Sequence, residues 1–156
     1  MSELTHLNEK GEAVMVDVGD KQITKRSAVA FAKIIMQPET LQKLSSASLK
    51  KGDGLATARV AGIMGAKKTS ELIPLCHNIP IDSVEITFEN NGENELYIYC
   101  MAKCSYKTGI EMEALTGAGI CALTVYDMCK AIDRKMCIAE VKLLEKYGGK
   151  SDFKND

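Results

Sequence analysis

The sequence predicts an α+β fold in which an antiparallel sheet carries helices on one face. Two neighbouring segments, 80–89 and 95–106, alternate apolar and polar residues with a period of two, which is typical of half-buried strands. The sequence NNGEN between them contains an Asn-Gly turn signal, so the two segments form a predicted hairpin. Two other segments, 54–72 and 110–133, repeat apolar or small residues at helical spacing.

The remaining elements follow in chain order. Residues 26–36 form a predicted strand, because Val29, Phe31 and Ile35 share one face at a period of two. Pro38 ends that strand and begins a short predicted helix, since proline is favoured in the first turn. Asp53 is placed to cap the helix over 54–72, which carries a stripe of small residues: Gly54, Ala58, Ala61, Gly62 and Gly65. A last strand covers 136–146.

The long helix over 110–133 is apolar on two sides. One stripe consists of Leu115, Ala118, Ala122, Val125, Cys129 and Ile132, and the other of Thr116, Ile120, Leu123 and Asp127. A helix that is apolar all round is buried on more than one side. We therefore expect the second side to contact another subunit, so that the protein is a homo-oligomer.

The predicted order of elements is β-α-β-β-α-β, which is the ferredoxin-like plan of a split βαβ unit. The length suits one domain over 1–156. A polar N-terminal arm covers about 1–22, and a polar, glycine-bearing, flexible tail covers about 147–156.

Composition argues against several classes of protein. The net charge is −1, with 20 basic and 21 acidic residues, so no general basic field favours nucleic acid. No apolar run has the length of a membrane span, and the N-terminal sequence MSELTHLNEKGEA lacks the apolar core of a signal peptide. Six cysteines without a C-x-x-C pair indicate reduced, mostly buried thiols in a cytoplasmic protein.

Two charged residues stand in the most apolar part of the long helix. Asp127 and Lys130 are three residues apart and so share a face. Desolvating an unpaired charge is costly, so the two either form a mutually satisfied ion pair or belong to a functional site. Buried pairs are poor stabilisers, which favours the functional interpretation.

Other polar residues stand near helix ends. Lys51 precedes the helix at 54, where backbone amides favour anions, although a solvated loop lysine is the simpler alternative. Glu111 and Glu113 occupy the first turn of the long helix, where carboxylates also compensate the dipole. Asp127 is about 21 Å from Glu113 along the helix axis, so one subunit cannot bring both into one small site through this helix alone.

Two further motifs are weaker. His77 stands between two prolines, where it is either structural or functional, and we find no further ligands at usable spacing for a metal. The fragment GGKS in the tail is not a P-loop, because the required glycine is replaced by Leu144 and no helix follows.

Longer strings now carry a resemblance. The strings MVDVGDK, KGDGLATARVAGIMGAKKTSELIPLCHNIP, KTGIEMEALTGAGICALTVYDMCKA and GGKSDFK are similar to those of the cyclic pyranopterin monophosphate synthases of molybdenum cofactor biosynthesis. The resemblance covers roughly residues 4–153. It implies a ferredoxin-like subunit that forms dimers, and three dimers that form a hexamer. It also implies a lyase whose substrate is a cyclised dihydroguanosine triphosphate.

The resemblance implies roles for individual residues. It places the family's active-site aspartate on Asp127 and its essential lysines on Lys51 and Lys130. The substrate-binding residues that it implies are Leu75, Cys76, His77, Glu111, Met112, Glu113, Arg26 and Lys21. The net reaction is a rearrangement, hydrolysis and cyclisation, so the resemblance implies no metal and no redox cofactor.

A binding module is the alternative, because ferredoxin-like domains also bind RNA or small ligands. RNA binding favours a K/R-G-F/Y-G/A-F-V-x-F/Y pattern on the central strands. Tyr97 and Tyr99 are present there, but the pattern is absent. A ligand sensor would leave Asp127 and Lys130 without a purpose, so the sequence favours the enzyme.

Overall fold

A computed structural model describes residues 4–155. Within them the chain forms five strands and four helices, with these bounds: β1 Thr24–Ile35, α1 Pro38–Ser45, α2 Gly54–Lys67, α3 Thr69–Leu72, β2 Ile81–Asn90, β3 Glu95–Tyr106, α4 Glu111–Cys129, β4 Cys137–Tyr147 and β5 Phe153–Lys154. The predicted α+β class is confirmed. Among these residues, no helix is long and apolar enough to cross a membrane.

The strands form one antiparallel sheet in the order β2-β3-β1-β4-β5. The predicted hairpin of β2 and β3 is confirmed, and β1 lies between β3 and β4, with Ala30 opposite both Cys100 and Leu143. The short strand β5, which pairs with the end of β4, was not predicted. Only two residues long, β5 is too short to show a period-two pattern.

The helices α2 and α4 pack against each other and cover one face of the sheet. The small residues Ala28, Ala30 and Ala32 of β1 are fully buried on that face. A side chain at Gly62 of α2 would lie 2.8 Å from the carbonyl oxygen of Gly117 in α4, so the two backbones approach closely there. The predicted small stripe of α2 therefore has a packing role, and it fixes α4 over the sheet.

Two predicted helices end earlier than expected. The helix over 54–72 is interrupted at Lys68, which separates α2 from α3. The buried hydroxyl of Thr69 donates to the carbonyls of Gly65 and Ala66, and these bonds cap the end of α2.

The long helix α4 ends at Cys129 rather than at 133, so the prediction of one helix through Ile132 is wrong. The carboxylate of buried Asp133 instead accepts hydrogen bonds from the Gln37 amide and the Thr40 hydroxyl. These bonds attach the chain after α4 to the start of α1. Lys130 consequently caps α4 and lies at the edge of the helix.

The second stripe of α4 is only partly covered in the single chain, since Thr116 and Ile120 are half-buried and Leu123 and Asp127 are exposed. Leu123 on that stripe is 56% exposed, and Val60 and Met64 on α2 are exposed to a similar degree.

The six cysteines are all free, and four of them are buried. Cys100 and Cys104, four residues apart in β3, are both buried.

Candidate active site

A cavity of about 580 Å³ opens at the N-terminal end of α4. Its wall combines the start of β1, the loop between α3 and β2, the first turn of α4, the N-terminal arm and the residues after β4. All eight residues that the sequence resemblance assigned to substrate binding line it: Lys21, Arg26, Leu75, Cys76, His77, Glu111, Met112 and Glu113.

Two carboxylates stand side by side in this cavity. Glu113 is only 3% exposed, and one oxygen each of Glu113 and Glu111 is buried without a hydrogen-bond partner among the described residues. Burial raises the pKa of Glu113 to about 7, and the neighbouring Glu111 charge adds to the rise. The other oxygen of Glu111 faces the Lys146 ammonium at 3.5 Å. Both residues line the cavity, so the cavity wall contains two carboxylates, one of them almost fully buried.

Arg26 is fixed at the cavity wall by the main chain. Its Nε donates to the Tyr106 carbonyl at 3.1 Å and its Nη2 donates to the Lys107 carbonyl at 3.3 Å. Lys21 also lines the cavity, and neither Lys21 nor Arg26 forms an ion pair within residues 4–155. The cavity thus offers positive charge that the described part of the chain leaves uncompensated.

The side chain of His77 connects the cavity loop to the N-terminal arm. Its Nε2 lies 2.5 Å from the Val16 carbonyl oxygen. A carbonyl only accepts, so Nε2 carries the hydrogen in this contact. Beside it, burial and then the charges of Glu113 and Glu111 raise the pKa of the Cys76 thiol, which keeps it protonated. His77 therefore has a structural contact as well as a position in the cavity wall.

A second cluster lies at the opposite end of α4. The Lys130 ammonium is 2.8 Å from one oxygen of Asp127, and the Lys51 ammonium is 3.7 Å from the other. Lys51 also donates to the Asp127 carbonyl at 3.0 Å. The ion pair between Asp127 and Lys130, which the sequence analysis gave as the less favoured alternative, is present, and Lys51 is its third member.

The environment of this pair differs from the buried one that the sequence suggested. Both side chains are more than half exposed, Asp127 by 57% and Lys130 by 54%. Their mutual hydrogen bond lowers the pKa of Asp127 and raises the pKa of Lys130, with smaller help for Asp127 from Lys51. In the single chain the pair is therefore kept charged by contact rather than tuned by burial.

The structure brings the predicted site residues together as two groups, not one. The cavity group gathers at the first turn of α4, and the group of Lys51, Asp127 and Lys130 gathers at its last turn. Glu113 and Asp127 are separated by four helical turns, or about 21 Å along the axis. This separation follows because Glu113 and Asp127 lie in one continuous helix, Glu111–Cys129.

The tail residues were missed by sequence reasoning. Gly148, Gly149, Lys150 and Ser151 line the cavity, as does Lys146 of β4. The GGKS fragment was the available signal, but it was tested only as a P-loop, which requires a helix after it. Here a strand, β5, follows instead.

Comparisons with known proteins identify the family to which the sequence is similar. The model of the MoaC family matches residues 15–149. A protein of Clostridium acetobutylicum named cyclic pyranopterin monophosphate synthase is 54% identical over 98% of this chain and 97% of its own length. Proteins of the same name from Chloroflexus aurantiacus and a Thermoanaerobacter species are 52% and 54% identical, and the aligned regions cover 96% and 95% of this chain and 93% and 94% of theirs.

Proposed function

This chain belongs to the MoaC family, and we propose that it acts as a cyclic pyranopterin monophosphate synthase in molybdenum cofactor biosynthesis. The reaction is that of a lyase. It converts the cyclised dihydro-GTP intermediate 3′,8-cyclo-7,8-dihydroguanosine 5′-triphosphate to cyclic pyranopterin monophosphate and releases diphosphate.

The cavity at the first turn of α4 is the observation that carries this proposal. A guanine-derived ring presents N–H donors, and the carboxylates of Glu111 and Glu113 line the cavity as hydrogen-bond acceptors. A triphosphate requires cations, and Arg26 and Lys21 supply uncompensated charge in the same cavity. One cavity therefore holds both kinds of group that the substrate needs.

The residues for proton transfer stand at the other end of α4. Rearranging a purine into a pterin requires several proton transfers, for which a lysine and a carboxylate are suitable acid and base groups. Lys51, Asp127 and Lys130 form such a group, but they are too far from the cavity of their own chain to reach a ligand in it.

We therefore place the complete site between two subunits. In a dimer whose α4 helices run antiparallel, the Asp127 end of one helix meets the Glu113 end of its partner. The exposed apolar side chains of Leu123 on α4 and of Val60 and Met64 on α2 support a contact on the helical layer, because burying them would favour association. The same contact would bury Asp127 and Lys130, and so supply the desolvation that the single chain lacks.

The wider assembly follows the family resemblance. We propose a ferredoxin-like subunit, since the strands β2-β3-β1-β4 and the two helices on one face have the order of a split βαβ plan. We also propose a trimer of dimers in the cytoplasm. The polar arm and tail belong to the same single domain, because both contribute to the wall of the cavity.

A product assay tests the activity. The purified protein is incubated with the cyclised dihydro-GTP substrate, and the cyclic monophosphate product and diphosphate are measured by liquid chromatography with mass spectrometry. We expect both products in equal amounts. Binding of the substrate without turnover would contradict the enzyme and favour a ligand-binding module.

A further inference from the structure

The turn after α4 contains a buried carboxylate outside both groups of candidate site residues. Asp133 is 3% exposed and forms no ion pair within residues 4–155. Its Oδ2 accepts hydrogen bonds from the Gln37 amide at 2.9 Å and the Thr40 hydroxyl at 3.0 Å, and its Oδ1 accepts from the Lys135 amide at 3.3 Å. A buried carboxylate is costly unless donors surround it. These three bonds therefore hold Asp133 between the turn after α4 and the start of α1.

The helix α1 links Asp133 to the loop that carries Lys51. We define the α1–α2 loop as residues 46–53, which directly follow α1 and precede α2. Thr40 in the first turn of α1 and Leu44 in its last turn are both 1% exposed, so both ends of the helix are packed. A helix of eight residues is about 12 Å long and moves as one unit. A displacement of its first turn therefore shifts the α1–α2 loop.

The same loop meets the last turn of α4 at Gly54, the first residue of α2. A Cβ atom at Gly54 would lie 2.7 Å, 2.9 Å and 3.7 Å from side-chain atoms of three elements: Leu44 of α1, Leu49 of the α1–α2 loop and Met128 of α4. The absence of a side chain at Gly54 therefore lets these elements approach one another. Met128 is next to Asp127 in the chain, so this contact places the α1–α2 loop beside the end of α4.

Lys51 of this loop belongs to the Asp127 cluster, which we define as Lys51, Asp127 and Lys130. The Lys51 ammonium donates to the Asp127 carbonyl at 3.0 Å and lies 3.7 Å from its Oδ2. Both side chains are about half exposed, so water competes with this contact, and its geometry depends on the backbone that carries Lys51. Burial, and then the charge of Asp133, raise the pKa of Cys129 to about 11, and the Lys51 charge opposes the rise. Asp133 and Lys51 thus act on the same buried thiol.

We infer that Asp133 is a positioning residue for the Asp127 cluster, because it holds the helix whose end carries the α1–α2 loop. Its hydrogen bonds to the Gln37 amide and the Thr40 hydroxyl keep α1 against the turn after α4. The helix in turn keeps Lys51 within reach of Asp127. This inference rests on the proposed function, because the cluster is the proton-transferring group of that enzyme. Asp133 itself is buried between α1 and the turn and touches no substrate.

Thr40→Val tests this role, because it removes one donor to Asp133 and keeps the size of the side chain. We expect kcat to fall about tenfold, since misplacing reacting groups by about 1 Å costs up to a hundredfold. KM should change less than twofold, because the cavity is built at the other end of α4. Thr69→Val is the matched control: it removes an equally buried hydroxyl at the end of α2 and should keep kcat within twofold.

Two substitutions of Asp133 distinguish its hydrogen bonds from its charge. Asp133→Ala removes every acceptor and should lower kcat at least as much as Thr40→Val. Asp133→Asn keeps one oxygen for the Gln37 amide and the Thr40 hydroxyl and loses only the longest bond, to the Lys135 amide, so kcat should stay within about threefold. An asparagine variant as impaired as the alanine variant would overturn the inference. If urea unfolding shows that Asp133→Ala does not fold, Thr40→Val compared with Thr69→Val decides.

A second measurement does not depend on turnover. The acetylation of Lys51 by N-hydroxysuccinimide acetate is measured by peptide mass spectrometry, relative to the adjacent, exposed Lys50. The contacts with Asp127 restrict access of the reagent to the Lys51 Nζ. The ratio of acetylation at Lys51 to that at Lys50 should therefore rise severalfold in Thr40→Val and stay unchanged in Thr69→Val.

The two proposals fail in different ways. If the wild-type protein forms no product but Thr40→Val raises the acetylation ratio, the proposed function is wrong and Asp133 still positions Lys51. If product forms normally and Thr40→Val keeps the kcat and the acetylation ratio of the wild type, the inference is wrong and the function stands. An equal loss of kcat in Thr69→Val would also overturn the inference, because the effect would then be a general loss of stability.

Discussion

Replacing Glu113 with glutamine removes the one carboxylate of the cavity that the fold buries almost completely. Its side chain is 3% exposed, and one oxygen has no hydrogen-bond partner within residues 4–155. Burial disfavours the charged form, which raises the pKa of Glu113 from 4.5 to about 7. Glutamine keeps the shape but never ionises, so the substitution isolates the effect of the charge.

The sign and size of the effect on stability follow from the difference in proton binding between the folded and the unfolded state. Between pH 4.5 and 7 the folded protein retains a proton that the unfolded chain has lost, so the free energy of unfolding falls as pH rises through this window. A rise in pKa from 4.5 to about 7 corresponds to about 3 kcal/mol at 1.36 kcal/mol per unit. Relative to the wild type, Glu113→Gln should therefore gain about 3 kcal/mol of stability between pH 4.5 and 8.

Urea unfolding of both proteins at one subunit concentration, at a series of pH values from 4.5 to 8.5, measures this difference. Carbon-13 NMR of labelled glutamate carboxyls provides the direct control, since one resonance should titrate near pH 7 and vanish in Glu113→Gln. A stability difference that stays constant across the series, together with no carboxyl titrating above about pH 5.5, would refute the burial argument.

Three other predictions concern the helices and the assembly. Lys130→Arg should lower kcat on the order of a hundredfold, because arginine keeps the charge but does not release a proton. Activity within about threefold of wild type would mean that Lys130 only stabilises the charge of Asp127 and transfers no proton. Gly62→Ala should destabilise the protein by about 1–3 kcal/mol in thermal or urea unfolding, because its Cβ would press on the Gly117 carbonyl, whereas Gly119→Ala, with nothing within 4 Å of its Cβ, should not. Sedimentation at micromolar concentration should show an oligomer, and a stable active monomer would disprove the shared site.

The regular elements of the fold were predictable because their residues repeat with a clear period. The alternation of 80–89 and 95–106 located both strands of the hairpin, and small residues at helical spacing located α2. The break at Lys68 and the end of α4 at Cys129 were not predictable in this way. At both places a single side chain makes the hydrogen bonds, which no periodic pattern reveals: Thr69 donates to the end of α2, and Asp133 accepts from the Thr40 hydroxyl.

The candidate site was predictable to a different degree at its two ends. Helical geometry alone separated Glu113 from Asp127, because a rise of 1.5 Å per residue leaves no alternative. The burial of Asp127 and Lys130 was overestimated, since helix polarity indicates that a face is covered but not which chain covers it. The cavity-lining residues 148–151 were missed because they lie between β4 and β5. The pairing of β5 with β4 involves only two residues of each strand, which is too few to show a periodic sequence pattern.

Complementation between two inactive variants tests the shared site most directly. Glu113→Gln and Asp127→Asn subunits are unfolded separately, mixed in equal amounts and refolded together, and product formation is measured. In an isologous dimer, half of the dimers are mixed, and each mixed dimer has one site with no substitution and one with both, so about a quarter of the wild-type activity should return. Recovery near that level supports a site built from both subunits. No recovery, with mixed dimers shown to be present by native mass spectrometry, would contradict it.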